Sequence, residues 1–404
     1  MGAGKSQSAI AYMNEHSDQK FIYITPYLDE AERICKGCPA LDFQEPKNLG
    51  EFGGRKIGHT ARLIEQGKNI ATTHRAFTMY EPEMLRNIRE QEYTLFIDES
   101  VEILDSFEYS TADLEMAVDA GLISEKDNKF IVNPEKPYRG SALRELFRLM
   151  ETRDLIRVTS GGQEHLFFWA LPPELITSFK DVFILTYLFD GQSIRHFLKI
   201  YDIPYDFIGI EKNGNEYHFC KYPGYTPEYA SHLKDMVHIE QSERLNKIGE
   251  KYYDLSMSWF ERNPDGVEQL RKNLSNYFNN FGRGVPANKK LWASYNDDKN
   301  AIGGKGFNRS FLVFNSRATN VYRDRYYLAY VTNLFMNVGY KLFYKQYGIE
   351  ASDDMYALST MVQWIWRSAI REGQEVFIYV PSSRMRKLLT DWINSFGEDG
   401  DLVG

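Results

Sequence analysis

Gly2-Ala3-Gly4-Lys5-Ser6 and Leu95-Phe96-Ile97-Asp98-Glu99 are the two stretches that decide the fold. In the first, glycines let backbone N–H groups approach phosphate oxygens, and the helix that should follow offers the positive end of its dipole to an anion. Gly2 and Gly4 would shape the loop, Lys5 would bridge the β and γ phosphates of ATP, and Ser6 would ligate Mg²⁺. In the second, a continuous apolar strand delivers two carboxylates to its C-terminal end, where ligands of open α/β sheets collect. Asp98 would hold Mg²⁺ through water, and Glu99 would polarise the attacking water.

Outward from these stretches the chain alternates short β-rich runs with helical ones, the pattern of parallel sheets with helical crossovers. Phe21–Thr25, Asn69–Thr73, Tyr93–Ile97 and Val182–Thr186 read as buried strands. A domain boundary is expected near Ser193, dividing an ATP-binding domain (1–192) from a second α/β domain (193–404). Lys212-Asn213-Gly214-Asn215 between two β-rich runs predicts a hairpin. Residues 226–280 read as mostly helical, Ser310–Phe314 and Glu375–Val380 as strands, and 324–346 and 355–371 as helical. The expected fold class is α/β, two RecA-like parallel-sheet domains with a helical and β-hairpin insertion.

The chain has 404 residues, 43% of them hydrophobic, which exceeds what one core usually holds and favours two domains. No apolar run reaches the roughly 18 residues of a membrane span, and no export signal opens the chain, so a cytoplasmic protein without membrane partners is expected. The net charge of -8 gives no global attraction to nucleic acid, so any such contact must use a local basic groove. Three cysteines are too few for a disulfide framework. Cys35-Lys36-Gly37-Cys38 lacks a second pair to complete a zinc site and reads as two reduced thiols.

Gln363, Arg367 and Arg371 recur every four residues, so a helix would point all three one way, toward an ATP cleft where an arginine stabilises charge on the transferred phosphate. With these residues the chain resembles superfamily 2 helicases of the DEAD/DEAH-like kind found in phages and mobile elements. Gly2 to Ser6 look like motif I, Ile24-Thr25-Pro26-Tyr27 like motif Ia, Thr72-Thr73-His74 like the Thr-His segment, and Asp98-Glu99-Ser100-Val101 like motif II. Leu185-Thr186-Tyr187 stands where motif III would lie but lacks its Ser-Ala-Thr string. Asn315 to Asn320 and Gln363 to Arg371 are similar to motifs of the second domain; Trp366 replaces the expected Gly before Arg367, and Arg371 falls four residues on rather than three, leaving open which arginine is the finger.

The resemblance implies an ATP-dependent DNA helicase or translocase with ATP and Mg²⁺ as cofactors, single-stranded or forked DNA (or RNA) as partner, and an association with replication proteins. Strand contact would fall to Thr25, Pro26, Thr72, Thr73 and His74 in the first domain and Arg317, Thr319 and Asn320 in the second. Tyr322, Tyr326 and Tyr327 read as core. Two other functions fit parts of the pattern: a terminase-like packaging ATPase, which needs a downstream acidic metal cluster, although Asp297-Asp298 and Asp353-Asp354 follow no clear strand, and a degenerate ATPase kept as a nucleic-acid-binding scaffold. The phosphate loop and the strand feeding it are expected to start before Met1, which predicts weakened ATP binding by this chain.

Overall fold

The computed structural model describes residues 4–50, 56–138, 140–159, 165–222, 233–316 and 321–395. Its architecture is α/β, built on two four-stranded parallel sheets. The first sheet holds β1 (Phe21–Thr25), β2 (Ile70–Thr73) and β3 (Thr94–Asp98). β1 and β3 are buried along their whole length, as strands covered on both faces must be.

After β3 the chain leaves this sheet for a module that was not foreseen from the sequence. β4 (Leu104–Ser106), β5 (Ile123–Lys126), β6 (Lys129–Val132), β7 (Asp154–Thr159) and β8 (His165–Ala170) form an antiparallel sheet in the order β4-β8-β7-β6-β5. Its own helices, Thr111–Asp119 and Arg144–Met150, cover one face through Leu114, Leu146, Leu155 and Trp169. β9 (Asp181–Leu185) then completes the first sheet in the order β2-β1-β3-β9. The register sets Tyr23 beside Phe96 and Phe96 beside Phe183. Their rings stack across the sheet at 6.0 and 4.7 Å between centroids.

The hairpin of β10 (Ile208–Asn213) and β11 (Glu216–Lys221) forms as predicted around Gly214, whose φ of +64° suits the tight turn. Phe219 extends the aromatic row by stacking on Phe183 at 5.5 Å. The helix that opens at Ser193 buries Ile194, Phe197 and Leu198 in the cluster that also holds Ile24 and Leu95. That cluster also takes in Met336, Phe343 and Tyr344 of the second half.

The second sheet runs β12 (Val237–Ile239), β15 (Val376–Tyr379), β14 (Tyr327–Tyr330), β13 (Lys290–Ala293), all parallel. Two expectations are corrected here. Residues 226–280, where described, are mostly helical as expected, with helices such as Met257–Arg262 and Pro264–Asn276 beside the three-residue edge strand β12. Residues 324–346 contain β14 before the helix Val338–Gln346, because Tyr327-Leu328-Ala329-Tyr330 is buried on both faces of a central strand. Ser310–Phe314 is no strand; Phe311 only touches Trp292 by one parallel bridge.

Two consequences are measurable. Gly191 lies so close to the helix Asp353–Ile365 that an added Cβ would stand 2.3 Å from the Met355 carbonyl oxygen. Gly191→Ala should therefore lower the urea midpoint, by about 1–3 kcal/mol of stability as overpacking usually does, whereas Gly348→Ala, which has open space, loses only from its positive φ.

His196 is buried against Tyr344, with neither ring nitrogen hydrogen-bonded. Burial, then the charges of Arg195 and Lys199, push its pKa down to about 4. Because the unfolded chain protonates this ring near 6.5 and the folded one does not, stability is full above about 6.5 and falls as the pH drops toward about 4, by on the order of 3 kcal/mol. In His196→Phe, urea titrations should show that part of the acid dependence gone.

Candidate active site

Both sheets contribute to a cleft of about 550 Å³. On one side, Gly4 caps the helix Lys5–Glu15 with a φ of +83°, a backbone conformation that glycine adopts without strain, and the cleft reaches Lys5, Ser6 and Gln7 at that helix's exposed amino end. β3 brings Asp98 to the same place, and the next residue turns sharply: Glu99 has a φ of +63°, while its N–H still donates to the Leu185 carbonyl at 3.2 Å. A non-glycine residue held in the left-handed region stores strain that the surrounding structure must impose. Here the ladder to β9 imposes it, and the Glu99 side chain faces the cleft as a result.

The electrostatics follow from burial. Burial, then the Glu99 charge, raises the Asp98 carboxyl to about 7, with Lys5 opposing. Burial lowers the Lys5 ammonium pKa; Asp98 and Glu99 oppose this, and Arg371 reinforces it. The Tyr23 hydroxyl beside Asp98 is pushed well up by burial.

From the other sheet come Gln363, Trp366, Arg367 and Arg371. They reach the cleft by a route other than the one expected. The helix Asp353–Ile365 stops before Arg367, because Ser368 is extended and both its N–H and its hydroxyl donate to the Ile365 carbonyl, at 3.0 and 2.6 Å. Arg371 then sits on a separate 3₁₀ turn, Ala369–Glu372. Arg367 is only 5% exposed, and its Nη2 lies 3.4 Å from Glu99 Oε1. The Nε of Arg367 and the Oε2 of Glu99 are buried without a hydrogen-bond partner. Glu99 and Gln363 also line a smaller adjoining cavity of about 170 Å³.

Other expected residues fall elsewhere. Thr25 and Thr72 are buried at their strand ends, and His74 is buried with Nε2 2.8 Å from the Asp98 carbonyl oxygen, so His74 braces the end of the acidic strand. Pro26 and Thr73 are partly exposed; the Thr73 hydroxyl accepts from the Ala76 N–H at the start of a short helix. Gly2, Arg317, Thr319 and Asn320 lie outside the described residues. Cys35 and Cys38 are free, with burial raising both thiols, Cys38 to about 11.

Sequence reading missed Glu30, Arg33 and Tyr217, all of which line the cleft. Arg33 and Glu30 pair at 2.8 Å on the helix Leu28–Gly37. Tyr217 comes from the hairpin; its ring packs so closely on Gly4 that a Cβ there would stand 2.2 Å from Cδ1. The hairpin is legible from Asn213-Gly214, but its docking on the loop is a long-range contact without a local signal. Among the described residues no helix is long and apolar enough to cross a membrane.

Comparison with known proteins bears on this arrangement. S. tokodaii Xpd4 is similar in structure at a TM-score of 0.48 and 12% identity, over 97% of this chain and 92% of that one. An XPD helicase is similar at a TM-score of 0.45 and 11% identity, over 96% and 94%. A family description, the YonV C-terminal Rossmann-like domain, matches residues 231–393. The SPbeta prophage-derived uncharacterized protein YonV of Bacillus subtilis (strain 168) is 35% identical over 405 aligned positions, covering 98% of this chain and 97% of that protein. With that identity over nearly the full length of both, the chain belongs to the YonV family.

Proposed function

We propose that this chain is an ATP-hydrolysing motor acting on DNA, a helicase or translocase in phage or mobile-element replication. The observation that carries the reading is Arg367 of the second unit reaching Glu99 of the first across a cleft that also holds Lys5 and Asp98. Phosphoryl transfer asks a protein mainly for positioning and for charge placed where charge develops, and these four side chains offer both.

The cleft fits a nucleotide with its metal. Glu99 Oε2 and Arg367 Nε are buried polar atoms that lack partners, a costly state unless something else meets them. The helix end at Gly4-Lys5-Ser6 offers backbone N–H groups to phosphate. Mg²⁺, held by Ser6 and Asp98, would neutralise charge on the β and γ phosphates. Lys5 binds the same oxygens, Glu99 orients the attacking water, and Arg367, with Arg371 beside it, stabilises the charge on the transferred group. Asp98, raised to about 7 in the bare cleft, is the carboxylate that a cation would bring back to its ionised form.

Of the two acidic pairs the packaging alternative could draw on, Asp353-Asp354 is engaged elsewhere. Asp353 accepts from the Met336 N–H and pairs with Lys341 at 2.7 Å, and Asp354 pairs with Arg384 at 2.7 Å. The prophage origin of its relative accords with a phage setting for the motor.

Steady-state ATP hydrolysis with Mg²⁺, with and without single-stranded DNA, tests the reading. Activity should be stimulated by DNA and lost in Lys5→Ala. Glu99→Gln should bind a fluorescent ATP analogue as the parent does while kcat falls about a hundredfold or more. Arg367→Lys keeps the buried charge but not the planar fork and should lose about a thousandfold in kcat, with a melting temperature near the parent's. Hydrolysis that survives Lys5→Ala, or a Glu99→Gln variant with full kcat, would remove this assignment.

A further inference from the structure

One surface of the second unit has a charge opposite to that of the chain. Across residues 281–289, 305–310 and 321–325 there are six Lys or Arg, two in each segment, against one acid, Asp324, in a protein of net charge -8. Hydrogen bonds tie these separate segments into one rim. Asn279 Nδ2 donates to the Lys305 carbonyl at 3.4 Å, Ser310 Oγ to the Ala287 carbonyl at 2.9 Å, and Arg325 Nη1 to the same Ala287 carbonyl at 3.3 Å. The Tyr326 N–H donates to the Lys289 carbonyl at 3.1 Å. Asp324 is already engaged, by Lys289 at 2.9 Å and Arg325 at 3.5 Å. Arg283, Lys305, Arg309 and Arg323 are exposed and, among the described residues, have no acidic partner. Phe281, half exposed, stands at the same end.

We infer that this rim is a binding surface for single-stranded DNA, with Arg283, Lys305, Arg309 and Arg323 meeting phosphates and Phe281 offering a ring to a base. The inference rests on the motor reading for its choice of polyanion and deepens it by naming where the strand runs. Unpaired exposed cations on loops bind phosphates of a flexible strand without reading its sequence, and an exposed aromatic stacks on an unpaired base but not on one inside a duplex. The rim is also wired to the cleft. The Arg325 carbonyl accepts from the Ala369 N–H at 2.8 Å, and Ala369 opens the turn that carries Arg371, two residues after Arg367. A strand that orders 321–325 therefore acts on the backbone that sets both arginines.

The test compares the parent chain with Arg283→Glu/Arg309→Glu/Arg323→Glu and with a control of equal charge change placed on other surfaces, Lys126→Glu/Lys136→Glu/Lys247→Glu. Circular dichroism and basal ATP hydrolysis without DNA establish that each is folded. Binding of a fluorescein-labelled oligothymidylate is followed by anisotropy over a range of salt concentrations. The rim variant should bind about tenfold or more weakly, with the slope of log K against log salt reduced by about 2, and should lose DNA stimulation while keeping basal hydrolysis; the control should follow the parent.

A rim variant that matches the control in affinity and slope overturns the surface and leaves the motor reading intact. A parent chain that hydrolyses ATP yet binds no single-stranded DNA overturns the surface together with the nucleic-acid half of that reading. A rim whose loss affects duplex and single strand alike overturns the single-strand assignment.

Discussion

The contact on which this structure turns is a loose one, Arg367 beside Glu99 at 3.4 Å in a buried setting. A guanidinium and a carboxylate taken out of water regain their solvation only when the geometry is close and every remaining donor and acceptor is met, and even then such pairs add little to stability. Here neither condition holds, since one nitrogen and one oxygen of the pair have no partner. The arrangement is therefore poor as a fastener and suited to a third group that would complete it. The rest of the cleft is lined by four cationic side chains (Lys5, Arg33, Arg367, Arg371) and four acidic ones (Glu30, Asp98, Glu99, Glu372), of which Arg33 and Glu30 close a tight pair at 2.8 Å.

The parts of the fold that could be read from the sequence are those whose signal is local. The apolar runs of β1, β3 and β9 mark buried parallel strands, and Asn213-Gly214 marks a hairpin. The antiparallel module of β4 to β8 gave no such signal. β5 and β6 alternate buried and exposed positions only weakly, and their half-polar residues, such as Ser124 and Lys129, resemble those of a surface loop. Its stability lies in contacts between distant segments, such as Phe107 and Phe167 at 5.5 Å, which no window of sequence contains. The stretch 324–346 misled for the opposite reason: its tyrosines fit a helical period, but Tyr327 and Tyr330 are fixed by pairing with β13 and β15.

The candidate site divides in the same way. Lys5, Ser6, Asp98 and Glu99 were legible because each is placed by the end of one element, a helix start or a strand end. The spacing of Gln363, Arg367 and Arg371 predicted that they share one side of a helix; they do line one cleft, but Ser368 ends the helix and the arginines reach it by a turn. Thr25, Thr72 and His74 show the reverse: they stand at or just past strand ends, yet all three are buried. His74 packs on the Asp98 carbonyl and so belongs to the walls that keep water from a carboxyl raised to about 7.

The two units meet at a second place whose chemistry contrasts with the cleft. The helix Val338–Gln346 of the second half lies on the antiparallel module of the first, with Phe168 edge-on to Tyr340 at 5.6 Å and to Phe343 at 6.3 Å, and with Gly339 close enough to Phe168 that a Cβ would stand 2.6 Å from its ring. Tyr340 also donates its hydroxyl to the Leu104 carbonyl at 3.4 Å, and Gln346 its amide to that of Arg157 at 3.1 Å. Burying aromatic side chains of this size stabilises by about 1.5–3 kcal/mol each, so separating this contact costs far more than parting Arg367 from Glu99. The module inserted between β3 and β9 thus does for the junction what the strand ends do for the cleft: it places an apolar, well-packed contact beside a charged one whose polar atoms are only partly met.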